Sequence, residues 1–372
     1  MRYISVILFS LATLIAVPSF SADKAHLKQL LETNECKSCD LSGANLKGKN
    51  LIEANLEDAN LSNANLRNTN ISGANFGASN LNNANLNGAD LSGSNLKEAN
   101  LDNAKLGMAN LTNANLENAY LGQANFRGAN LSYSNLYKAN LYNADLSLAN
   151  LSNANLSNAN IGSASLQGTN LDGANLTKAN LSYSNLQGST FNNTDLIGTD
   201  LTATKLIEVE LSGMDLRFTK LTSANLLKAK LRQVNLSGSD LSKVNFALAD
   251  LSDANLSYTN LNFVTIGATN FNGTNLTGAD LRKTNFRRAN LSGAKLIAAN
   301  FRKANIRKTS FVDADLSEAN FTSANLSRGS FLGSNLSGAN LTSAKMGKAD
   351  LSHSVICGTI LPDKKIDNSG CN

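Results

Sequence analysis

An apolar residue recurs at every fifth position of this chain from Leu41 to Leu361, always Leu, Ile, Phe or Met, and the register never slips. About 65 five-residue units follow one another without an insertion. On an α-helix a five-residue step advances about 500°, so these side chains would spiral around the whole circumference. On a flat strand an odd period would place successive ones on opposite sides. Only a chain that turns once per unit keeps all of them inside.

The rest of each unit agrees with a turning chain. In the unit Ala44-Asn45-Leu46-Lys47-Gly48 we name the five places small, outer, central, first turn and second turn. The small and central residues are two apart on an extended segment, so both should point inward and the outer residue outward. The turn positions are polar and rich in Gly and Asn, which suits positive φ. The small position is usually Ala, otherwise mostly Ser or Thr, and we expect its departures from these residues to widen the coil slightly. The departures are Lys49, Val209, Met214, Val234, Val244, Val264 and Gly329.

This unit resembles the A(D/N)LXX repeat of the pentapeptide-repeat family over roughly 320 of the 372 residues. The resemblance implies an all-β fold, a right-handed four-sided parallel β-helix with one unit per face and 20 residues per coil. About 16 coils at a strand spacing of about 4.8 Å would give a rod roughly 75–80 Å long. The unbroken repeat predicts a single elongated domain over residues 39–361.

The N-terminus predicts export. Residues 1–21 have the pattern of a secretory signal peptide: Arg2 precedes an apolar stretch from Ile4 to Val17, and Ser19-Phe20-Ser21 offers a cleavage site. Cleavage after Ala22 is the alternative site. We therefore expect the mature protein in the periplasm or outside a bacterial cell. The alternative is a cytosolic protein with an apolar N-terminus. The apolar stretch is short for a membrane span, and no other segment could cross a membrane.

The two ends of the repeat need covers, because an open solenoid end exposes strand edges and core. Residues 22–38 should form an N-terminal cap, in which Leu27, Leu30 and Leu31 recur at helical spacing and predict a short amphipathic helix. Residues 362–372 are interpreted as a C-terminal cap or tail. End-to-end association of two rods is left open.

The four cysteines lie at opposite ends of the chain. Cys36 and Cys39 should face inward beside the first coil, and Cys357 and Cys371 lie at the far end. In a straight rod only the pairs Cys36–Cys39 and Cys357–Cys371 are within reach of each other. An exported compartment favours their oxidation. A structural staple is the favoured interpretation of the CxxC pair, with a redox-active pair, a shared metal site or free thiols as alternatives.

The sequence gives little support for catalysis, and we predict a non-enzymatic protein without catalytic residues, metal ligands or cofactors. Its two histidines, His26 and His353, are expected in the cap and on an outward turn. Carboxylates occupy outward positions, so no buried acid is expected. We also find no phosphate-binding loop, nucleophile motif or metal-ligand spacing.

The most distinctive surface feature is basic. Between Leu281 and Val312 there are nine Lys or Arg residues and no Asp or Glu. With 20 residues per coil, eight of these should stack over two coils on two adjacent faces, and two later residues extend one column. We call the whole set the basic face: Arg282, Lys283, Arg287, Arg288, Arg302, Lys303, Arg307, Lys308, Arg328 and Lys348.

These observations predict an exported scaffold that presents flat faces of a rigid rod to a partner, either an unknown protein or an anionic surface. The alternative is an anion-binding module that uses the basic face to bind lipopolysaccharide, phospholipid or acidic polysaccharide; a solvated face that only confers solubility is the simpler interpretation of the charges. Some family members imitate duplex DNA and inhibit DNA gyrase, which requires a negative surface. The formal charge of +5 and the export signal disfavour that role, and no DNA partner is expected.

Overall fold

The computed structural model describes residues 22–371, so the signal peptide predicted at 1–21 lies outside the described residues. Each coil pairs in parallel with the next through outer-position residues that are 20 apart, as Asn45 pairs with Asn65 and Asn50 with Asn70. Four units therefore complete one turn, and each unit forms one of four faces. The central residues from Leu41 to Leu341 are buried in a single continuous core.

The regular unit satisfies all five of its backbone N–H groups. Three of them bond to carbonyl groups of adjacent coils, and a fourth, at the small position, closes the turn by bonding to the central residue of the preceding unit. The fifth, at the first turn position, donates to the side-chain oxygen of the preceding outer residue. Around Leu61 these bonds are Leu61 N to Asn80 O (2.7 Å), Asn63 N to Asn82 O (2.9 Å), Asn65 N to Ala44 O (2.8 Å), Ala64 N to Leu61 O (3.0 Å) and Ser62 N to Asn60 Oδ1 (3.2 Å).

The second turn position has positive φ in every unit from Gly43 to Gly358. The sequence suggested Gly or Asn for this conformation, yet large residues adopt it too, among them Phe218 at 61° and Tyr258 at 57°. Left-handed backbone is unfavourable for such side chains, and it persists only where its surroundings enforce it. Here the repeated turn and the bonds to the neighbouring coils supply that constraint.

The core changes character along the rod. Leu and Ala fill most of it, but toward the C-terminal end Phe rings stack between successive coils. The ring centroids of Phe301 and Phe321 are 5.0 Å apart, and those of Phe311 and Phe331 are 4.9 Å apart. A Cβ atom on Gly329 would lie 3.2 Å from the Phe331 ring, so the glycine in this small position makes room for the aromatic stack.

Within residues 22–371 the parallel pairing of outer residues is interrupted in one place, which we call the opening. Thr190 and Glu210 are not paired, nor are Asp195 and Asp215, although the pairs on either side of this opening are intact. Among the described residues, the expected inter-coil bonds are missing there from six N–H groups: those of Gly188, Phe191, Asn193, Leu196, Glu210 and Asp215. A cavity of about 620 Å³ lies between the separated segments 191–197 and 210–215.

The opening corrects the expectation that these residues widen the coil only slightly. Val209 and Met214 fill small positions of two consecutive units, so two adjacent faces of one coil are pushed outward together. By contrast Val234 and Val244 are two units apart, with Ser239 in the small position between them, and both remain fully buried. Lys49 also differs from the other small-position residues: it is exposed at the edge of the first coil and not buried.

The helix α1, Lys24–Thr33, covers the N-terminal coil. Asp23 caps it by accepting hydrogen bonds from the N–H groups of Ala25 at 2.7 Å and His26 at 3.2 Å. The helix ends at Asn34, which is left-handed with φ of 57°. Leu30 is its fully buried residue and joins the core of the solenoid.

A β-hairpin closes the C-terminal end. Strand β1, Thr359–Ile360, pairs in antiparallel fashion with strand β2, Ile366–Asp367. Pro362 follows β1 and begins the turn, in which Lys364 donates its N–H to the Leu361 carbonyl at 2.9 Å. The sequence indicated a cap or tail at 362–372 but not this reversal of direction.

Candidate functional site

The cysteines form two local pairs. Cys36 and Cys39 are joined with an S–S distance of 2.09 Å, and Cys357 and Cys371 with one of 1.98 Å. These are the pairs that the rod geometry favours. Cys36 and Cys39 are both buried beneath α1. Reactive cysteines are partly exposed in electropositive surroundings, so this arrangement suits a structural staple.

The two histidines lie at opposite ends of the rod, and neither belongs to a cluster of potential catalytic or metal-binding side chains in the described residues. His26 accepts a hydrogen bond at Nδ1 from the Asp40 N–H at 3.1 Å, which ties α1 to the first coil. His353 lies on an exposed turn. Within residues 22–371 there is no cluster of three His, Cys, Asp or Glu residues that could hold a metal ion. In the same range no helix has the length and apolar character of a membrane span.

The basic face is assembled as the repeat predicts. The Lys283 N–H donates to the Arg302 carbonyl at 3.1 Å, and the Arg288 N–H donates to the Arg307 carbonyl at 3.2 Å. These bonds hold successive coils in register, and the side chains at equivalent positions stack in columns parallel to the axis. All ten residues of the basic face are exposed except Arg307, which is half-buried.

Two corners of the solenoid carry these cations. The longer column, which we call the basic ladder, occupies second turn positions of four successive coils: Arg288, Lys308, Arg328 and Lys348. Beside it at the same corner lie Arg287 and Arg307. The adjacent corner, which we call the side corner, comprises Arg282, Lys283, Arg302 and Lys303.

One member of the side corner is already neutralised. Arg282 Nη2 lies 2.7 Å from Asp280 Oδ2, and its Nε lies 2.8 Å from Oδ1 of the same carboxylate. This bidentate hydrogen bond raises the pKa of Arg282. The acid-free segment begins at Leu281, so counting charges within that segment missed the carboxylate one residue before it.

The basic ladder carries uncompensated positive charge. None of its four side chains lies within ion-pair distance of a carboxylate in residues 22–371, and neither do Arg287 and Arg307. The positive charges of Arg288 and Arg328, on either side in the column, lower the pKa of Lys308. An anion placed along this column would relieve that repulsion.

Sequence reasoning missed a second surface feature. At several corners a large side chain in the second turn position lies over a glycine one coil further on, as Met108 covers Gly128 and Tyr258 covers Gly278. Met108 and Leu148 thus form the apolar portion of a shallow groove of about 500 Å³, flanked by Arg67 and Arg127. The signal in the sequence was a large residue followed by Gly 20 positions later.

The repeats place the chain in a family. The family model described as "Pentapeptide repeats" matches eight overlapping or adjacent segments between residues 109 and 356. A second model, "Pentapeptide repeat region", matches residues 29–106. Together they cover well over half of the chain, which belongs to the pentapeptide-repeat family. Members of this family form right-handed, four-sided β-helices, and the coil described above has the same four-unit turn.

Solved structures similar to this chain come from the same family. HetL, a pentapeptide repeat protein involved in heterocyst differentiation regulation in the cyanobacterium Nostoc, is 28% identical; the match covers 77% of this chain and 91% of HetL, with a TM-score of 0.19. Rfr23 from the cyanobacterium Cyanothece is 29% identical over 46% of this chain and 97% of its own, with a TM-score of 0.12. No curated protein gives a significant sequence match.

Proposed function

We propose that the mature chain is an exported, non-enzymatic scaffold that acts through its outer faces. The observation that supports this most directly is the filled interior, in which Leu, Ala and Phe occupy the inward positions and leave the surface to make contacts. A wall of repeated hydrogen bonds makes such a rod stiff, and stiffness reduces the entropy cost of presenting a broad face to a partner.

Export and capping complete this proposal. We propose that residues 1–21 are removed, that α1 and the C-terminal hairpin close a rod of about 16 coils, and that the protein works in the periplasm or outside the cell. Mass spectrometry of the native protein should find a chain that starts at Ala22 or Asp23. An intact Met1 in a cytosolic fraction would overturn the export proposal.

The second candidate function is binding to an anionic surface through the basic face. It is favoured by the absence of ion-pair partners for nine of the ten cations within the described residues, and by the mutual repulsion that lowers the pKa of Lys308. Lipopolysaccharide, phospholipid headgroups and acidic polysaccharides all offer the required charge. Such binding should weaken with salt, since exposed charges are screened over about 8–10 Å at physiological ionic strength.

Charge reversal tests this function. Replacing Arg288, Arg302 and Arg307 by Glu should abolish retention on anionic vesicles and on acidic polysaccharide. The fold should survive, because this chain already carries glutamates at equivalent turn positions, Glu53 and Glu57. If wild type and variant bind equally at low salt, the basic face does not bind anions and only confers solubility. Proteins captured from the periplasm by the wild-type rod and retained by the variant would instead support the scaffold role.

A further inference from the structure

We propose that the basic ladder binds one linear polyanion lengthwise, and that this ligand is an acidic polysaccharide with one carboxylate per sugar. This inference rests on the proposed anion-binding function and specifies its ligand. It assigns the axial column at one corner as the binding site, rather than the basic face as a whole.

The first argument is the arrangement of the charges. Arg288, Lys308, Arg328 and Lys348 stand in one column on four successive coils, whereas the side corner has only two coils of cations. Arg282 in that corner is already held by Asp280. Free positive charge therefore lies along a line parallel to the axis, with Arg287 and Arg307 beside its first half. A line of charge is complementary to an extended polymer.

The second argument is the spacing. The stacked Phe rings repeat at 5.0 Å and 4.9 Å between coils, which gives the step of the column in this region of the rod. Four cations then span about 14 Å at a coil spacing of about 4.8 Å. A chain of pyranose rings advances by roughly one ring and one linking bond per carboxylate, close to one coil. Phosphates along one strand of duplex DNA advance only about 3.4 Å along the helix axis and would fall out of step within this span.

The third argument is the rigidity of the site. Each cation of the ladder is attached to a left-handed turn residue, with φ of 68° at Arg288, 62° at Lys308 and 63° at Arg328. The N–H groups of Lys308 and Arg328 are bonded at 3.1 Å and 3.0 Å to carbonyls of the next coil. The backbone under Arg288, Lys308 and Arg328 is therefore fixed before binding. Several weak contacts made together to one chain add through effective concentration, which favours a polymer over separate monomers.

The experiment compares two triple variants with the same loss of charge. The ladder variant carries Arg288→Gln, Lys308→Gln and Arg328→Gln; the side-corner variant carries Lys283→Gln, Arg302→Gln and Lys303→Gln. Glutamine already occupies equivalent turn positions in this chain at Gln123, Gln167 and Gln233, so both variants should fold, and circular dichroism checks this. The ligands are oligomers of a uronic acid from one to six sugars, with anionic phospholipid vesicles as the second source of negative charge.

For wild type, affinity should rise steeply from one to four sugars and then level off, because the ladder offers four cations. The ladder variant should lose roughly tenfold or more in affinity for the hexamer, and the side-corner variant about two- to threefold, the effect of long-range attraction alone. Equal losses in the two variants, no dependence on oligomer length, or binding to vesicles without binding to oligouronates would each overturn the axial site and leave anion binding intact. Failure of wild type to bind either ligand would overturn both proposals.

Discussion

At the scale of the residue, the outer position explains why the repeat accepts Asn or Asp. The side-chain oxygen accepts the N–H of the first turn position, which the backbone leaves unpaired. Asp90 serves as an acceptor in this way for Ser92 and also accepts from Asn110 Nδ2 of the next coil at 2.9 Å. Only Asn can also donate, so runs of Asn form hydrogen-bonded ladders along the rod.

Replacing Asn135 by Ala should destabilise its coil by about 1–2 kcal/mol, because one side chain makes three bonds. It accepts from the Tyr137 N–H at 3.2 Å, donates to Asn115 Oδ1 at 3.1 Å and accepts from Asn155 Nδ2 at 3.1 Å. Lys105→Ala is the control, since the N–H of Gly107 in that unit is already bonded to Asn87 Oδ1. Chemical denaturation measures both; equal effects would contradict the bonding role.

Buried hydroxyl groups in the small position offer a second test. Ser94 Oγ donates to the Leu91 carbonyl at 2.7 Å, whereas the hydroxyl of Ser79 has no hydrogen-bond partner within the described chain. An unsatisfied buried hydroxyl costs about 1–3 kcal/mol. Ser79→Ala should therefore leave stability unchanged or raise it, and Ser94→Ala should lower it. A larger loss at Ser79 in thermal unfolding would show that its hydroxyl has a partner in solution.

At the scale of the element, the coil is both the unit of stability and the place where it fails. Each coil is bonded only to its neighbours, so stability is approximately a sum of local terms. At the opening between segments 191–197 and 210–215, two faces lack the inter-coil hydrogen bonds that contribute these local terms. We attribute it to local crowding by Val209 and Met214, because the outer-residue pairs on either side are intact.

Hydrogen exchange should detect this opening. The N–H groups of Phe191, Asn193 and Leu196 should exchange faster than those of Leu171 and Leu176, which are bonded one coil below at 3.0 Å and 2.8 Å. The double variant Val209→Ala and Met214→Ala should slow exchange at the first three by restoring the small position. The crowding explanation fails if protection in the two coils is equal in the wild type, or if the variant leaves exchange unchanged.

The N-terminal disulfide should also act locally. Reducing Cys36–Cys39 should expose α1 and the first coils to proteolysis and hydrogen exchange, while the middle of the rod stays protected. The double variant Cys36→Ser and Cys39→Ser should reproduce this pattern without reductant, and Cys357→Ser with Cys371→Ser should shift it to the other end. Global unfolding on reduction would contradict nearest-neighbour stability.

At the scale of the whole molecule, parallel pairing from Glu35 to Ile360 makes one elongated body with a continuous core. The mature protein should give a rod-like profile in small-angle scattering, and its far-UV circular dichroism should show β structure with a minor helical contribution from α1. A globular profile, or dominant helix, would contradict the architecture. The opening near Glu210 is the place where a bend in the rod is expected.

The period of five determined most of this protein by itself. Each unit repeats the same local chemistry and stacks on the units 20 residues away, so one rule applied without interruption from Leu41 onward places the inward side chains, the turns and the stacking of Arg288 under Lys308. The repeat predicted least where the outcome depends on which particular side chains meet. The tertiary structure alone decided that the coils separate beside Val209 and Met214 but not beside Val234, that Asp280 neutralises Arg282, and that the last residues fold back as a hairpin. These outcomes depend on which side chains meet across coils and at the ends, where packing and charge are settled by several residues together.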